Sequence, residues 1–231
     1  MKKIIYLLSF TFLILQSCSS SDSNNNNSDN NNNGSVTDID DNVYQTVTIC
    51  DQVWTKKNLN VSRYRNGDVI PQVTNPTQWA NLTTGAWCYY NNDPANGAIY
   101  GKLYNWYAVN DLRGLAPSGY HIPTDAEWNT LTDCLGGEFI AGGKMKESGT
   151  THWNSPNIGA TNSSGFTGLP GGVLDNMAFK FINEQGYWWS STEYTPGSSS
   201  AWAIDIFSTS EEFGKPLPYK NYGLSVRCIK D

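Results

Sequence analysis

The chain has 231 residues and a formal net charge of −6, with 16% charged and 13% aromatic side chains. That length suffices for one domain with a real core. The acidic balance excludes a phosphate-binding surface for nucleic acid, and the wealth of Gly, Asn, Ser, Thr, Trp and Tyr excludes a helical bundle.

Met1-Lys2-Lys3 is a positive start, and Ile4 to Leu15 is a nearly continuous apolar run. As a helix that run would reach about 18 Å, short of the ~30 Å hydrocarbon core, so residues 1–17 are expected to be a signal peptide. Leu15-Gln16-Ser17-Cys18 follows at once and resembles a bacterial lipobox. Cleavage there would leave Cys18 at the new N-terminus, carrying a diacylglycerol. The alternative is ordinary cleavage beside an incidental Cys. Removal of residues 1–17 takes Lys2 and Lys3 with it, leaving 13 basic against 21 acidic side chains and a net charge of −8. Anchoring would therefore rest on acyl chains rather than on attraction to anionic lipid.

Residues 18–37 carry Asn24–Asn27 and Asn30–Asn33 among Ser and Asp. Nothing there offsets ordering entropy, so a disordered tether is expected. One domain, 38–231, follows. Val43 to Ile49 alternates as a strand, with Val43, Val47 and Ile49 on one face, and Asp51-Gln52 turns it into Val53-Trp54. Asn66-Gly67 and Asn91-Asn92-Asp93-Pro94 read as turns. Tyr100 to Val109 is expected as a helix with Leu103, Trp106 and Tyr107 inward. Pro123-Thr124-Asp125-Ala126-Glu127 opens a helix through a Thr124/Glu127 capping box. Trp128, Leu131, Cys134 and Leu135 share its face, and Gly136-Gly137 ends it. Gly186 to Ser191, Ala201 to Phe207 and Leu224 to Ile229 read as late strands, which makes the fold class α+β.

Several phrases then carry a resemblance: Gln52-Val53-Trp54 with Asn58-Leu59-Asn60-Val61, Tyr100-Gly101-Lys102-Leu103-Tyr104-Asn105-Trp106, Gly119 to Trp128, Leu169-Pro170-Gly171-Gly172, Trp188-Trp189-Ser190-Ser191 and Ser225-Val226-Arg227-Cys228. Together they resemble the Fibrobacter succinogenes major paralogous domain, a family of secreted bacterial lipoproteins without an assigned activity. His121 to Trp128 with Gly136-Gly137 is also similar to formylglycine-generating (sulfatase-modifying) enzymes, and Cys134-Leu135-Gly136-Gly137 with Cys228 is similar to C-type lectin domains. The resemblance implies their shared fold: two helices, a twisted, mostly antiparallel sheet, and long loops carrying the ligand site. Fold likeness of this kind says little about function.

Oxidase-type formylglycine-generating enzymes use a close Cys pair that binds copper. Here Cys50, Cys88, Cys134 and Cys228 are all far apart in sequence. No cofactor and no catalytic set is therefore assigned. In an exported protein four Cys favour disulfides, in any of three pairings, with buried free thiols as the alternative. The lectin resemblance implies Cys134–Cys228, leaving Cys50–Cys88.

His121 and His152 lack metal-ligand spacing, so no metal site is expected, and His121 is expected to pack. Trp54, Trp106, Trp128 and one of Trp188 and Trp189 are assigned to the core. Trp153 and Tyr194 are the surface aromatics proposed to stack on a ligand. The resulting expectation is an outer-membrane lipoprotein at the cell surface, held by its lipid, with a non-enzymatic domain that binds a glycan or a surface protein and no nucleic acid. The rivals are an enzyme with a different active site and a structural envelope protein.

Overall fold

The computed structural model describes residues 34–175 and 177–231. Cys18, the apolar leader and most of the Asn-rich tether lie outside them. In chain order the elements are β1 (Ser35–Thr37), β2 (Val43–Ile49), β3 (Gln52–Thr55), α1 (Pro76–Ala80), β4 (Trp87–Cys88), α2 (Pro94–Tyr100), β5 (Leu103–Tyr104), α3 (Trp106–Val109), β6 (Tyr120–His121), α4 (Asp125–Cys134), α5 (Glu138–Met145), β7 (Val173–Asp175), β8 (Ala178–Lys180), β9 (Gln185–Glu193), β10 (Ala201–Phe207), β11 (Phe213–Gly214) and β12 (Ile229–Lys230). Among the described residues this is a mixed α+β architecture of antiparallel sheets with five helices rather than the expected two, although only α4 and α5 of these reach eight residues.

One sheet runs β1-β2-β3-β12-β6, so the C-terminal strand lies between β3 and β6. Ile229 pairs with both Trp54 and His121 there. A second sheet runs β11-β10-β9, and β4–β5 and β7–β8 are two-stranded pairs. Between them runs 223–225, which bridges all three: Gly223 to Leu174, Leu224 to Tyr104 and Ser225 to Trp188. The continuous last strand expected from Leu224 is thus divided among three partners, and only Ile229–Lys230 forms a ladder.

Local chemistry sets most helix ends. Thr124 accepts from the Glu127 amide at 3.2 Å, and the Glu127 carboxylate accepts from the Thr124 amide at 2.8 Å, the expected capping box. Asp93 caps α2, which begins with Pro94, so the predicted Asx turn is also a helix start. The single helix expected over 100–109 is instead the end of α2, strand β5 and α3. Gly101 breaks it at φ 76°, where a side chain would meet the Leu59 carbonyl at 2.8 Å. Asn105 then caps α3, accepting from the Ala108 amide at 3.1 Å.

Ser35–Thr37, expected in the disordered stretch, pairs with β2 along its edge. On β2 the buried face is Tyr44 and Thr46, while Val43 is exposed. Val47 and Ile49 turn to the opposite side and pack on a second core. The strand buries one face in its first half and the other at its end, so it carries no single apolar stripe.

The sheet β11-β10-β9 separates the two large cores. Trp189, Ala201 and Ala203 face the first, and Trp188, Ile204 and Ile206 the second. Both Trp188 and Trp189 are therefore interior, where only one was expected. Trp54, Trp106 and Trp128 are buried as expected. Each buried indole removes roughly 200 Å² from water, on the order of 5 kcal/mol of transfer free energy.

Arg227 is fully buried without a carboxylate partner. Its guanidinium donates to Asn58 Oδ1 at 2.7 Å and to the carbonyls of Thr55, Phe166 and Thr167 at 2.6, 2.8 and 2.9 Å. It also stacks 4.3 Å from the Phe166 ring centroid. Burial pulls its pKa down to about 9, so it stays charged at neutral pH. One side chain thus ties β3, two loops and the C-terminal segment together.

Candidate functional site

Cys50 pairs with Cys134, and Cys88 and Cys228 are buried free thiols. Neither Cys134–Cys228 nor Cys50–Cys88 forms. Cys228 faces the first core, whereas Cys134 sits at the end of α4 beside the second. Neighbouring Ile229 turns to that second core, so Cys228 points away from α4. Burial pushes both free thiols well above the ordinary thiol range, which disfavours the reactive thiolate.

Trp153 does not offer a surface. It is 1% exposed, packs in the second core and donates from Nε1 to the Gly168 carbonyl at 3.0 Å. Its loop is covered by other loops, with the Asn154 amide bonded to the Asn183 carbonyl at 2.7 Å. Tyr194 is exposed, and it packs edge-on against Trp202 at 5.6 Å. Lys215 lies over that Trp202 ring and reaches Asp125 at the start of α4. This platform lies on the α4 side of β10.

On the side of the first core lies a groove of about 400 Å³ with four aromatic rings in its lining. One wall is Val173 and Asp175 on β7 with Phe181 just past β8; the floor includes Tyr187 on β9. The opposite wall is Pro216-Leu217-Pro218-Tyr219, closed by Tyr222. The two prolines fix an extended path, and the carbonyls of Pro216 and Pro218 accept from Ala203 and Ala201 at 3.1 and 3.3 Å. Tyr219 bridges to Ser200 and packs edge-on against Tyr222 at 5.8 Å. Tyr219 is 54% exposed, and Leu217 and Phe181 are exposed beside it. Phe181 holds φ 63°, a left-handed conformation that bulky residues rarely adopt. Such outliers concentrate at binding sites.

Two carboxylates accompany the rings. Asp175 Oδ2 accepts from Lys180 Nζ at 3.0 Å, but its Oδ1 is buried without a partner. Asp205 stands cross-strand from Tyr187, with Gly214 on its other side. It is 7% exposed, and burial raises its pKa to about 6. Any side chain at position 214 would strike Asp205 Oδ1, at 2.0 Å from a Cβ there. Burial, with Asp205 and Asp175 nearby, also pushes the Tyr187 hydroxyl up, and that hydroxyl donates to Gln185 Oε1. Exposed rings beside a carboxylate suit a ligand with apolar faces and hydroxyl donors.

The two histidines sit elsewhere. His121 was expected to pack. Instead it is half-exposed and spans Glu127 and Asp231, each at 2.8 Å. Burial pulls its pKa down, but those two hydrogen bonds outweigh it and hold the imidazole above its usual value. His152 contacts Glu147 at 2.9 Å. Among the described residues no group of three His, Cys, Asp or Glu is placed to hold a metal ion. A smaller depression beside Arg63 and Arg65 offers no free cation. Arg63 binds Asp40 at 2.6 Å, and Arg65 donates to the carbonyls of Ala116, Pro117 and Tyr120.

The groove was missed in the sequence. Its signal is Pro216-Leu217-Pro218-Tyr219-Lys220-Asn221-Tyr222, a stiff loop with aromatics at its end.

Comparison with curated proteins and with solved structures gives no match. The profile of the Fibrobacter succinogenes major domain matches residues 47–230, nearly the whole described domain. The chain belongs to the Fibrobacter succinogenes major domain family.

Proposed function

We propose that the domain is a non-enzymatic glycan-binding module of the bacterial cell envelope, tethered at the outer surface by a lipid on Cys18. The observation that carries the reading is the groove that Tyr187, Tyr219, Tyr222 and Phe181 line together with the Asp175 carboxylate. Sugar rings present C–H faces that stack on aromatics and hydroxyls that donate to carboxylates. The apolar leader, the lipobox-like Leu15-Gln16-Ser17-Cys18 and the Asn-rich stretch supply the address. No helix among the described residues is long and apolar enough to cross a membrane. The same reading places the domain in the C-type lectin and formylglycine-generating fold group, supported by the capped α4 with its Cys134 and by the C-terminal strand buried in the sheet.

A second reading, catalysis, draws on Asp205, a carboxyl cross-strand from the groove residue Tyr187 whose pKa burial raises to about 6. The test is a glycan array probed with the purified full-length chain, followed by product analysis of each hit. Saturable binding without turnover supports the module. Shortened products favour catalysis, and an array without hits removes both.

A further inference from the structure

The aromatic groove does not end at Tyr219. A second depression of about 340 Å³ starts from the same Tyr219 and runs past Lys220 and Asn221 to Thr83 and Tyr107. A third, of about 400 Å³, starts from the same Thr83 and Tyr107 and continues past Asn110 to Leu112. Each lies in the size range of about 300–1,000 Å³ that takes a small ligand. Tyr219 thus lines both the first and the second, and Thr83 and Tyr107 line both the second and the third. This rests on the groove being a glycan site, and it extends that reading to the shape of the glycan.

The segment at the junction is fixed. The Lys220 amide donates to Ser199 and its carbonyl accepts from Trp106, both at 2.8 Å. The Asn221 carbonyl accepts from Trp79 Nε1 at 2.6 Å, and Asn221 Nδ2 donates to the Ala80 carbonyl at 2.7 Å. Lys220 pairs with Glu193 and lies 4.5 Å from the Trp106 ring centroid. Arg113 is held by Asp111 and Asp68 at 2.8 and 3.1 Å. The charges of the second and third depressions are thus matched within the protein. What remains for a ligand is hydroxyl, amide and aromatic: Thr83, Asn81, Asn110, Tyr107 and Tyr219. At this junction the Lys220 amide and carbonyl and the Asn221 carbonyl are already bonded, so they offer an extended peptide no ladder to join.

We propose that the three depressions form one cleft that holds a single neutral, unbranched glycan along its length, with Tyr219 and Tyr107 as successive stacking positions. An internal stretch of polymer fits such a cleft, whereas a pocket for a chain end would be closed on one side.

The test is isothermal titration of the purified full-length chain with β-1,4-linked gluco-, xylo- and manno-oligosaccharides of two to eight rings. For at least one backbone, affinity should rise tenfold or more from the dimer to the octamer. Tyr107→Ala should return the octamer to the dimer's affinity. Thr83→Trp, a substitution at an exposed position, should do the same by filling the junction, so a misfolded Tyr107→Ala protein would not decide the matter. Equal affinity at every length, or full octamer binding by Thr83→Trp, overturns the cleft and leaves the groove standing. No binding at any length overturns both. Length-dependent binding of an uncharged extended peptide with no saccharide binding also overturns both.

Discussion

Replacing Arg227 with leucine removes the one donor set that reaches β3, two loops and the C-terminal segment at once. The carbonyls of Thr55, Phe166 and Thr167 lose their guanidinium partner, while Asn58 Oδ1 keeps the Trp188 Nε1 bond at 2.8 Å. A buried acceptor left unpaired costs about 1–3 kcal/mol, so three could cost roughly 3–9 kcal/mol. Part returns because leucine carries no charge to desolvate, a penalty of several kcal/mol for a buried cation. The expected net loss is about 3–5 kcal/mol, in line with breaking other buried charge networks. Arg227→Lys keeps the charge, but one ammonium cannot span acceptors on three segments, so it should recover only part of that loss. The assay is equilibrium urea unfolding followed by tryptophan fluorescence, with the slope checked for constancy so that the midpoint reports stability. A leucine variant within about 1 kcal/mol of the parent would refute the clamp.

Removing the Cys50–Cys134 bridge with a double serine variant should cost about 4.5 kcal/mol by the chain-entropy relation, given its sequence separation of 84; alkylation of the folded, unreduced protein should leave Cys88 and Cys228 unmodified until denaturant is added. Asp205 has its native pKa raised by burial from 3.8 to about 6, so the folded state binds the extra proton and stability falls as pH rises through that window. Asp205→Asn should remove that slope and gain on the order of 2–3 kcal/mol at pH 7, read from urea midpoints between pH 4 and 7.5. His121 should titrate above 6.5 by NMR, and Glu127→Gln should bring it down; since its native pKa is raised, the stability it contributes is present below 6.5 and is lost as pH rises through the native value. Trp153→Ala should cost about 3–5 kcal/mol and leave glycan affinity unchanged, because the indole is core and not surface.

Features that depend on neighbouring residues in the chain were legible from sequence. The Thr124/Glu127 box, the turn after Ile49 and the strands over 186–191 and 201–207 follow from contacts within a few positions. Gly101 was a stop within the expected 100–109 helix, and only the approach of the Leu59 carbonyl makes its role plain. Features set by which loops cover one another were not legible. Trp153 stands among Thr, Ser and Asn, as a surface residue would, yet loops 166–168 and 181–185 close over it. The cysteine pairing failed for the same reason, since it turns on which face of the last strand Cys228 occupies. The groove draws residues from positions 173 to 224, and no local pattern joins them.

The claim on which the account depends is that the ring-lined groove, and not the Tyr194–Trp202 platform, takes the glycan. Titrating the strongest array ligand into the parent, Tyr219→Ala and Tyr194→Ala proteins tests it directly. The account predicts at least a tenfold loss for Tyr219→Ala and parental affinity for Tyr194→Ala. Parental affinity in Tyr219→Ala, or a loss confined to Tyr194→Ala, would contradict it.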